Sequence, residues 1–229
     1  MSHALAALGV PSTTASSGYL PDQGLFHVPT GIQRVYEWGL YSSYRFAAGV
    51  SLTTLGTPRL FQLSQNQSGQ GFTAAGTSLS ISETNMIVGA IAPGDDSYQV
   101  SAISCEMYGA TNVAPLPGDI RLLQRVGVLY WTFGNTLQLP ISPLSMIGAG
   151  SGIFGATADT GTPVTFANNG NGSTLWTYQR VIVAIPATQS FGMQVQIGSA
   201  GQAAALSPTA ETQIRITLFN QARSAVPMA

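Results

Sequence analysis

Alternation of apolar and polar positions predicts β-strands along most of the chain. Residues 191–197 place apolar side chains at every odd position, with Gly and Gln between them, and residues 214–218 do the same at every even position. A period of two is typical of a strand with one buried face. The further predicted strands are residues 59–63, 79–82, 85–91, 98–107, 121–133, 137–141 and 180–185.

Two of these segments carry additional information. The apolar positions Tyr98, Val100 and Ala102 share one phase, whereas Ile103 and those that follow it take the opposite phase. A change of phase inside a strand predicts a β-bulge. Residues 121–133 are apolar on both faces, which predicts a strand that is covered on both sides.

The turns and loops between the strands indicate a sandwich. Gly134-Asn135 predicts a hairpin turn, residues 64–78 and 148–174 predict long surface loops, and residues 32–46 fit a helix and a strand equally well. Eight or more strands joined in this way predict an all-β, antiparallel sandwich. We predict an N-terminal arm over residues 1–31, one domain over residues 32–222, and a polar C-terminal tail over residues 223–229 that is mobile or bound to a partner.

Charged residues are scarce, and their scarcity bears on the function of the protein. The 229 residues include 8 Arg, no Lys and 9 acidic residues, so 7% of the chain is charged, where about 25% is usual for a soluble domain. Ser, Thr, Asn and Gln supply the polarity instead, and they hydrogen-bond across contacts without the desolvation cost of a charge. This composition predicts a surface that other subunits cover. The arginines are scattered singly, which argues against an arm that binds a nucleic-acid backbone.

Candidate metal ligands are few. His3, His27 and the lone Cys105 have no spacing typical of a zinc site, and the alternating pattern predicts that Cys105 is a small buried side chain. Asp95 and Asp96 stand in a Pro-Gly turn, where a calcium ion is one interpretation and a solvated turn is the favoured one.

Candidate catalytic groups are equally sparse. Residues 148–152 are Gly-rich but lack the spacing of a nucleophile elbow and the surroundings of a dinucleotide loop. A glycosidase needs two facing carboxylates, and no spacing pairs any two of the four glutamates, which are Glu37, Glu83, Glu106 and Glu211. We therefore predict no catalytic, cofactor-binding or metal-binding residue.

Three tryptophans are candidates for a sugar-stacking surface. Trp131 lies in the strand that is apolar on both faces, which favours a core position. Trp176 follows the long loop and is the best candidate for exposure, although a contact between subunits explains it as well. Trp38 lies in the segment that fits helix and strand equally.

Four segments carry a resemblance to a known family. They are SETNMIVGA with DDSYQVSAI (residues 82–90 and 95–103), VGVLYWTFGNT with LPISPL and GAGSG (126–136, 139–144 and 148–152), VIVAIP with QSFGMQV (181–186 and 189–195), and IRITLF (214–219). Together they resemble a jelly-roll capsid protein of a small, tailless, icosahedral bacteriophage, over roughly residues 24–222. The resemblance implies an eight-stranded single jelly roll that self-associates into capsomers and a closed shell.

The leading hypothesis is therefore a structural coat protein without enzymatic activity. Its expected partners are copies of itself, other virion proteins and an internal membrane, with no sequence-specific binding of nucleic acid. Its expected location is the virion, after synthesis in the host cytoplasm. We expect the seams between subunits at residues 12–24, at residues 148–174 and in the tail after Asn220. The alternative hypothesis is a glycan- or receptor-binding β-sandwich, such as a phage spike or a lectin-like module, with a shallow site on residues 64–78 or 148–174.

Overall fold

The structure is a computed structural model that describes residues 33–52, 55–72, 77–91, 97–109, 116–134, 137–148, 176–177, 183–198 and 207–225. Its strands are β1 (Gln33–Phe46), β2 (Arg59–Leu60), β3 (Ser97–Gly109), β4 (Gly127–Phe133), β5 (Leu137–Pro143), β6 (Trp176–Thr177), β7 (Val183–Ile185), β8 (Phe191–Ile197) and β9 (Thr212–Ala225). One helix, α1 (Pro117–Val126), precedes β4, and a short 3-10 helix (Leu144–Met146) follows β5.

The strands form two antiparallel sheets. Sheet A has the order β1-β9-β3-β6, and β7 pairs with β3 beside β6; sheet B has the order β2-β8-β4-β5. The strand pairs are nested along the chain: β4 with β5, then β3 with β6 and β7, then β2 with β8, and finally β1 with β9. The all-β, antiparallel sandwich predicted from the alternation is confirmed.

The core lies between the two sheets. Inward positions of the long strands alternate with outward ones, so each strand contributes every second side chain to the core. The largest buried side chains are Trp131, Tyr98, Phe46, Phe61, Phe72 and Phe191. Apolar positions predicted to face the core in β8 and β9 do so, as Met193, Val195, Ile214 and Ile216 are all fully buried.

The longest pairing joins the two ends of the described chain. Residues 32–46 fitted two interpretations, and the structure makes Gln33–Phe46 a strand that pairs with β9 from Gln33↔Ala225 to Phe46↔Thr212. The prediction of a mobile or partner-bound tail after Asn220 is wrong for residues 221–225. These residues continue β9 past the boundary predicted at residue 222, because β1 offers backbone partners as far as Ala225 and β3 as far as Arg223.

The predicted bulge is confirmed in β3. The pairing of β3 with β9 shifts between Val100 and Ala102, so Ser101 is the extra residue. On either side of it, Val100 and Ile103 are both fully buried. The shift keeps the apolar side chains of both halves of the strand on the core face.

The long strand predicted for residues 121–133 is wrong in its first half. Residues up to Val126 belong to α1, in which Pro117 lies in the first turn. Ile120, Leu123 and Val126 are buried at intervals of three, which is a helical spacing. The second half is strand β4, whose inner face is buried at Leu129 and Trp131, whereas its outer face is half-buried rather than covered.

Residues 79–91 are not the two strands that the apolar run predicted. Leu79 is buried and Ile81 is exposed, so they do not share a face, and only single-residue bridges form at Thr84 and Ile91. The segment instead lies along the border of the sandwich. We call residues 79–91 the strap.

The remaining predictions concern the hairpin and the short strands. Gly134, with φ of 57°, ends β4, and Phe133 pairs with Leu137, so the predicted hairpin is confirmed. The strand predicted at residues 59–63 is shorter, since β2 ends at Leu60. Of the strand predicted at residues 180–185, the described part is Val183–Ile185.

Candidate functional site

The strap covers part of the hydrogen-bonding edge of β1. The backbone N–H of Tyr41 donates to Asn85 Oδ1 (2.9 Å), and the Tyr41 carbonyl accepts from the Asn85 N–H (3.3 Å) and from Thr84 Oγ1 (3.2 Å). The Asn85 Nδ2 donates to the Gly39 carbonyl at 2.6 Å. An open strand edge is a template for pairing with another chain, and over this stretch the strap occupies it.

A second segment completes the cover. Arg45 N–H donates to the Gln70 carbonyl (2.9 Å), and Gln70 Nε2 donates to the Ser43 carbonyl (2.7 Å) and to Ser42 Oγ (2.9 Å). Gly71 lies so close to β1 that an added Cβ would overlap the Arg45 carbonyl oxygen. On the side away from β9, backbone groups of Gly39, Tyr41, Ser43 and Arg45 therefore also have hydrogen-bond partners.

An arginine on the outer face of sheet A binds the backbone of the strap. Arg215 Nη2 donates to the Ser82 carbonyl at 2.6 Å and approaches Tyr108 Oη at 3.4 Å, and Nη1 lies 3.4 Å from Glu106 Oε2. The guanidinium carbon lies 5.0 Å from the centre of the Tyr108 ring, within cation–π range. Tyr41 Oη adds a bond of 2.5 Å to the Ile81 carbonyl.

The carboxylate of Glu83 belongs to the same cluster. Burial opposes its ionisation, but hydrogen bonds from Ser80 and Ser82 and the charge of Arg215 together hold the pKa of Glu83 below its ordinary value. Burial is also the main reason why the pKa of Tyr108 is raised. Tyr108 Oη shares a hydrogen bond of 2.9 Å with Ser43 Oγ, so the phenol ties β3 to β1 across the face of β9.

A second ion pair lies nearby. Arg45 Nε is 3.1 Å from Glu211 Oε1, and the Arg45 guanidinium stacks 4.2 Å from the centre of the Phe72 ring. It joins β1 to the start of β9 and covers the aromatic side chain of the adjoining loop. The two arginines thus fix residues 72 and 79–85 on the sandwich.

Arg215, Tyr108, Glu106 and Glu83 form a cluster that fixes the strap to sheet A, and we call this cluster the clamp. A general acid at neutral pH needs a raised pKa, whereas Glu83 is held ionised, and Glu106 is directed at the same Arg215 guanidinium. Nothing in the spacing of the glutamates along the chain indicated that Glu83 and Glu106 would meet at one arginine. Glu83 lies in the strap, Glu106 in β3 and Arg215 in β9, and these three elements are distant in sequence.

The backbone is strained where the C-terminal end of the strap meets Phe61, the residue after β2. Phe61 (φ 64°) and Ala90 (φ 62°) are in the left-handed region that side chains rarely adopt. Each is held in place, because Ala90 N–H donates to the Phe61 carbonyl (2.7 Å) and Phe61 N–H donates to Ser42 Oγ (2.9 Å). Such conformations cost about 1–3 kcal/mol each and persist where the surroundings over-determine them, so the strap is held in one defined shape.

Large apolar side chains that remain exposed in the described residues lie mainly at the two edges of sheet B. Near the β2 edge the strap exposes Ile87 (70%) and Val88 (52%). At the β5 edge, Leu139 (45%) and Met146 (63%) are exposed. The other two are Ile81 on the strap and Phe219 on β9.

The predicted roles of single residues have mixed outcomes. Trp131 is in the core, as predicted, and so is Cys105, where burial and the neighbouring Glu106 carboxylate raise the pKa of the thiol to about 12. The side chains of Glu37, Trp38 and Trp176 lie outside the described residues, although their backbones belong to β1 and β6. His3, His27, Asp95 and Asp96 also lie outside them, as do the seams predicted at residues 12–24 and at residues 149–174.

Two absences hold for the described part of the chain. It contains no group of three or more His, Cys, Asp or Glu side chains that could hold a metal ion. In the same residues, no helix combines the length and the hydropathy that crossing a membrane requires.

Comparisons with known proteins give no family. Neither a protein-family model, nor a curated protein, nor a solved structure matches the chain.

Proposed function

We propose that the chain is a single jelly-roll coat protein that self-assembles into the icosahedral shell of a bacteriophage. The observation that carries the proposal is the nested order of strand pairs. When β6 and β7 are counted as one position beside β3, each sheet has four positions, and the first strand pairs with the last, the second with the second-last, and so on inward. This order arises when one long antiparallel ribbon wraps around a core, which is how a jelly roll is built.

The jelly roll alone does not separate a coat protein from a binding module, because capsid and lectin domains both use it. The scarcity of charge favours the coat. With 7% charged residues, an isolated molecule lacks the mixed surface charge that keeps small domains apart in solution. In the described residues, the two ion pairs Arg45–Glu211 and Arg215–Glu106 belong to the arginines that fix adjoining segments to sheet A. Apart from exposed arginines such as Arg59 and Arg125, the polar side chains left for contacts are mostly neutral.

Many weak and neutral contacts suit a shell. Each contact needs to contribute little, since a closed assembly adds them through multivalency. Neutral hydroxyl and amide groups hydrogen-bond across a seam without the cost of desolvating an ion. The charged clamp around Arg215 then keeps each subunit rigid enough for repeated contacts to have one geometry.

The experiment is a determination of the assembly state. Purified full-length protein is measured by size-exclusion chromatography with light scattering and imaged by electron microscopy across a range of concentrations. We expect trimers, larger capsomers or shells. A protein that stays monomeric at high concentration would contradict the proposal, and a small stable oligomer that binds glycans on an array would favour the alternative binding module instead.

A further inference from the structure

We infer that copies of this chain associate head to tail, with Ile87 and Val88 of the strap packing against Leu139 and Met146 at the β5 edge of the next copy. The inference rests on the proposed function, since it names the contact by which the subunits would join. It does not follow from that function, because a shell subunit can also associate through two-fold, self-matching contacts.

The strap presents its apolar side chains rigidly. Ile87 and Val88 stand next to each other, and the residues around them are fixed, since Gln65 N–H donates to the Met86 carbonyl (3.1 Å) and Phe191 N–H donates to the Ala90 carbonyl (2.8 Å). A surface that is ordered in advance loses little entropy when it binds.

The β5 edge exposes apolar side chains of its own. Leu139 pairs with Trp131, so its side chain is on the core side of the sheet, yet it is 45% exposed because β5 has no described strand beyond it. Met146, at the end of the 3-10 helix that follows β5, is exposed as well, whereas Leu144 at the start of that helix is buried. The exposed apolar surface therefore lies at the open border between the sheets.

The chain segments that carry the two surfaces contain no charged residue. No Asp, Glu, Lys or Arg occurs between Glu83 and Asp95, and none occurs between Arg125 and Asp159. Packing the four apolar side chains against each other therefore buries no ion of these segments. The same side chains offer no charge with which a charged protein, a nucleic acid or an anionic lipid headgroup could pair.

Prolines direct the contact to side chains rather than to backbone. An exposed edge strand can bind another chain by adding a strand. Pro140 and Pro143 lie in β5, and a proline has no N–H to donate to an added strand. The strap and the segment at Gln70 together cover residues 39–45 of the β1 edge, so that stretch of β1 is not open for strand addition either.

The position of the surfaces determines the symmetry. The strap lies by β2 and Leu139 lies in β5, and these strands are the opposite edges of sheet B. A contact between two different surfaces on opposite edges repeats from copy to copy, and it closes into a ring when the rotation permits. A ring of this kind is a capsomer.

Cysteine cross-linking tests the pairing directly. The chain has a single thiol, Cys105, which is buried, so V88C and L139C each introduce the only accessible thiol. Mixing V88C with L139C and adding a short bis-maleimide should give covalent dimers and nothing larger. Either variant alone should give few dimers, and the double variant V88C/L139C should give a ladder of covalent oligomers.

Controls separate the outcomes. S68C lies on an exposed, polar part of the neighbouring loop and should not cross-link to L139C, and the wild type should not cross-link at all. Strong dimers from V88C alone would mean a self-matching contact and would overturn the inference. The inference would also be overturned if light scattering showed that the protein assembles and the mixture of V88C and L139C still gave no covalent dimer. If the protein never assembled, the proposed function itself would be wrong.

A charge at the same position gives an independent measurement. V88E should raise the concentration needed for association by roughly tenfold or more, since it buries an unpaired carboxylate at the contact. S68E should leave that concentration unchanged. If V88E and the wild type have similar thermal unfolding midpoints, the substitution weakens association and not folding. If V88E associates at the same concentration as the wild type, the inference is contradicted.

Discussion

The thiol of Cys105 has a consequence for stability at high pH. Burial first, and then the Glu106 carboxylate, raise the pKa of Cys105 from its ordinary value of 9.0 to about 12. Above pH 9 the unfolded chain loses this proton while the folded chain keeps it, so the free energy of unfolding must fall as the pH rises.

We therefore expect urea midpoints to decline from about pH 9 upward. Tyr44 and Tyr108, whose pKa values are also raised by burial, extend the decline above pH 10. C105A should remove the part that begins near pH 9 and leave the tyrosine part. An equal decline of the urea midpoint in C105A and in the wild type would show that burial does not raise the pKa of the Cys105 thiol.

Arg215 gives a second prediction at the level of a single side chain. R215M removes the bonds to the Ser82 carbonyl and to Tyr108 and leaves Glu106 without its cation. We expect a loss of about 1–2 kcal/mol in the free energy of unfolding, since bonds to charged groups are worth more than neutral ones but this cluster is partly exposed.

The comparison variant is R59M. Arg59 is an exposed arginine on β2, and surface changes of this kind stay within about 0.5 kcal/mol. Chemical denaturation measures both variants. Faster proteolysis of residues 79–91 in R215M than in R59M would locate the effect in the strap, and equal stability of the two variants would contradict the role of Arg215 as a clamp.

At the scale of elements, the fit between the loop and β1 depends on Gly71. Gly71 has φ of 83° and leaves no room for a Cβ against the Arg45 backbone, whereas Gly49 has φ of 72° and open space around it. The two glycines therefore share their backbone conformation and differ in their surroundings.

G49A should cost about 1–2 kcal/mol, which is the usual penalty for a side chain in the left-handed region. G71A should cost at least about 2 kcal/mol more, because the loop must move away from β1. Urea unfolding of the two variants measures the difference. Equal losses would mean that the loop does not approach β1 as closely as the structure has it.

The elements also show what the sequence predicts well and what it does not. Alternation predicted β8, β9 and the bulge in β3, because the large apolar side chains of these strands recur at every second position and most of them face the core. It failed at α1, where the apolar run of the helix continues into β4 without a break in hydrophobicity at Gly127. It failed again at the strap, because Ile87 and Val88 are apolar and exposed, which pattern reasoning reads as buried.

The contacts of the clamp could not be predicted from the sequence for a different reason. Ser82 and Arg215 are 133 positions apart in the chain, and contacts of that separation depend on the order of strands in the sheets. Residue types alone do not specify that order. The nested pairing of β1 with β9 had to be known before Arg215 could be placed beside the strap.

At the scale of the whole molecule, neutral seams predict an unusual response to salt. Assemblies held by ion pairs weaken as salt screens them, over a Debye length that shrinks to about 3 Å at 1 M. Contacts between the strap and the β5 edge contain no ion, so we expect the assembly to persist, or to strengthen, in about 1 M sodium chloride. Light scattering across a salt series measures this, and dissociation at high salt would show that charged contacts hold the subunits together.

The pairing of Gln33 with Ala225 has a practical consequence for engineering. The first and last described residues of the sandwich lie side by side at one end of sheet A. Two fluorophores attached at positions 33 and 225 would therefore be close to each other within one molecule. Energy transfer between them should be strong before any neighbour is present.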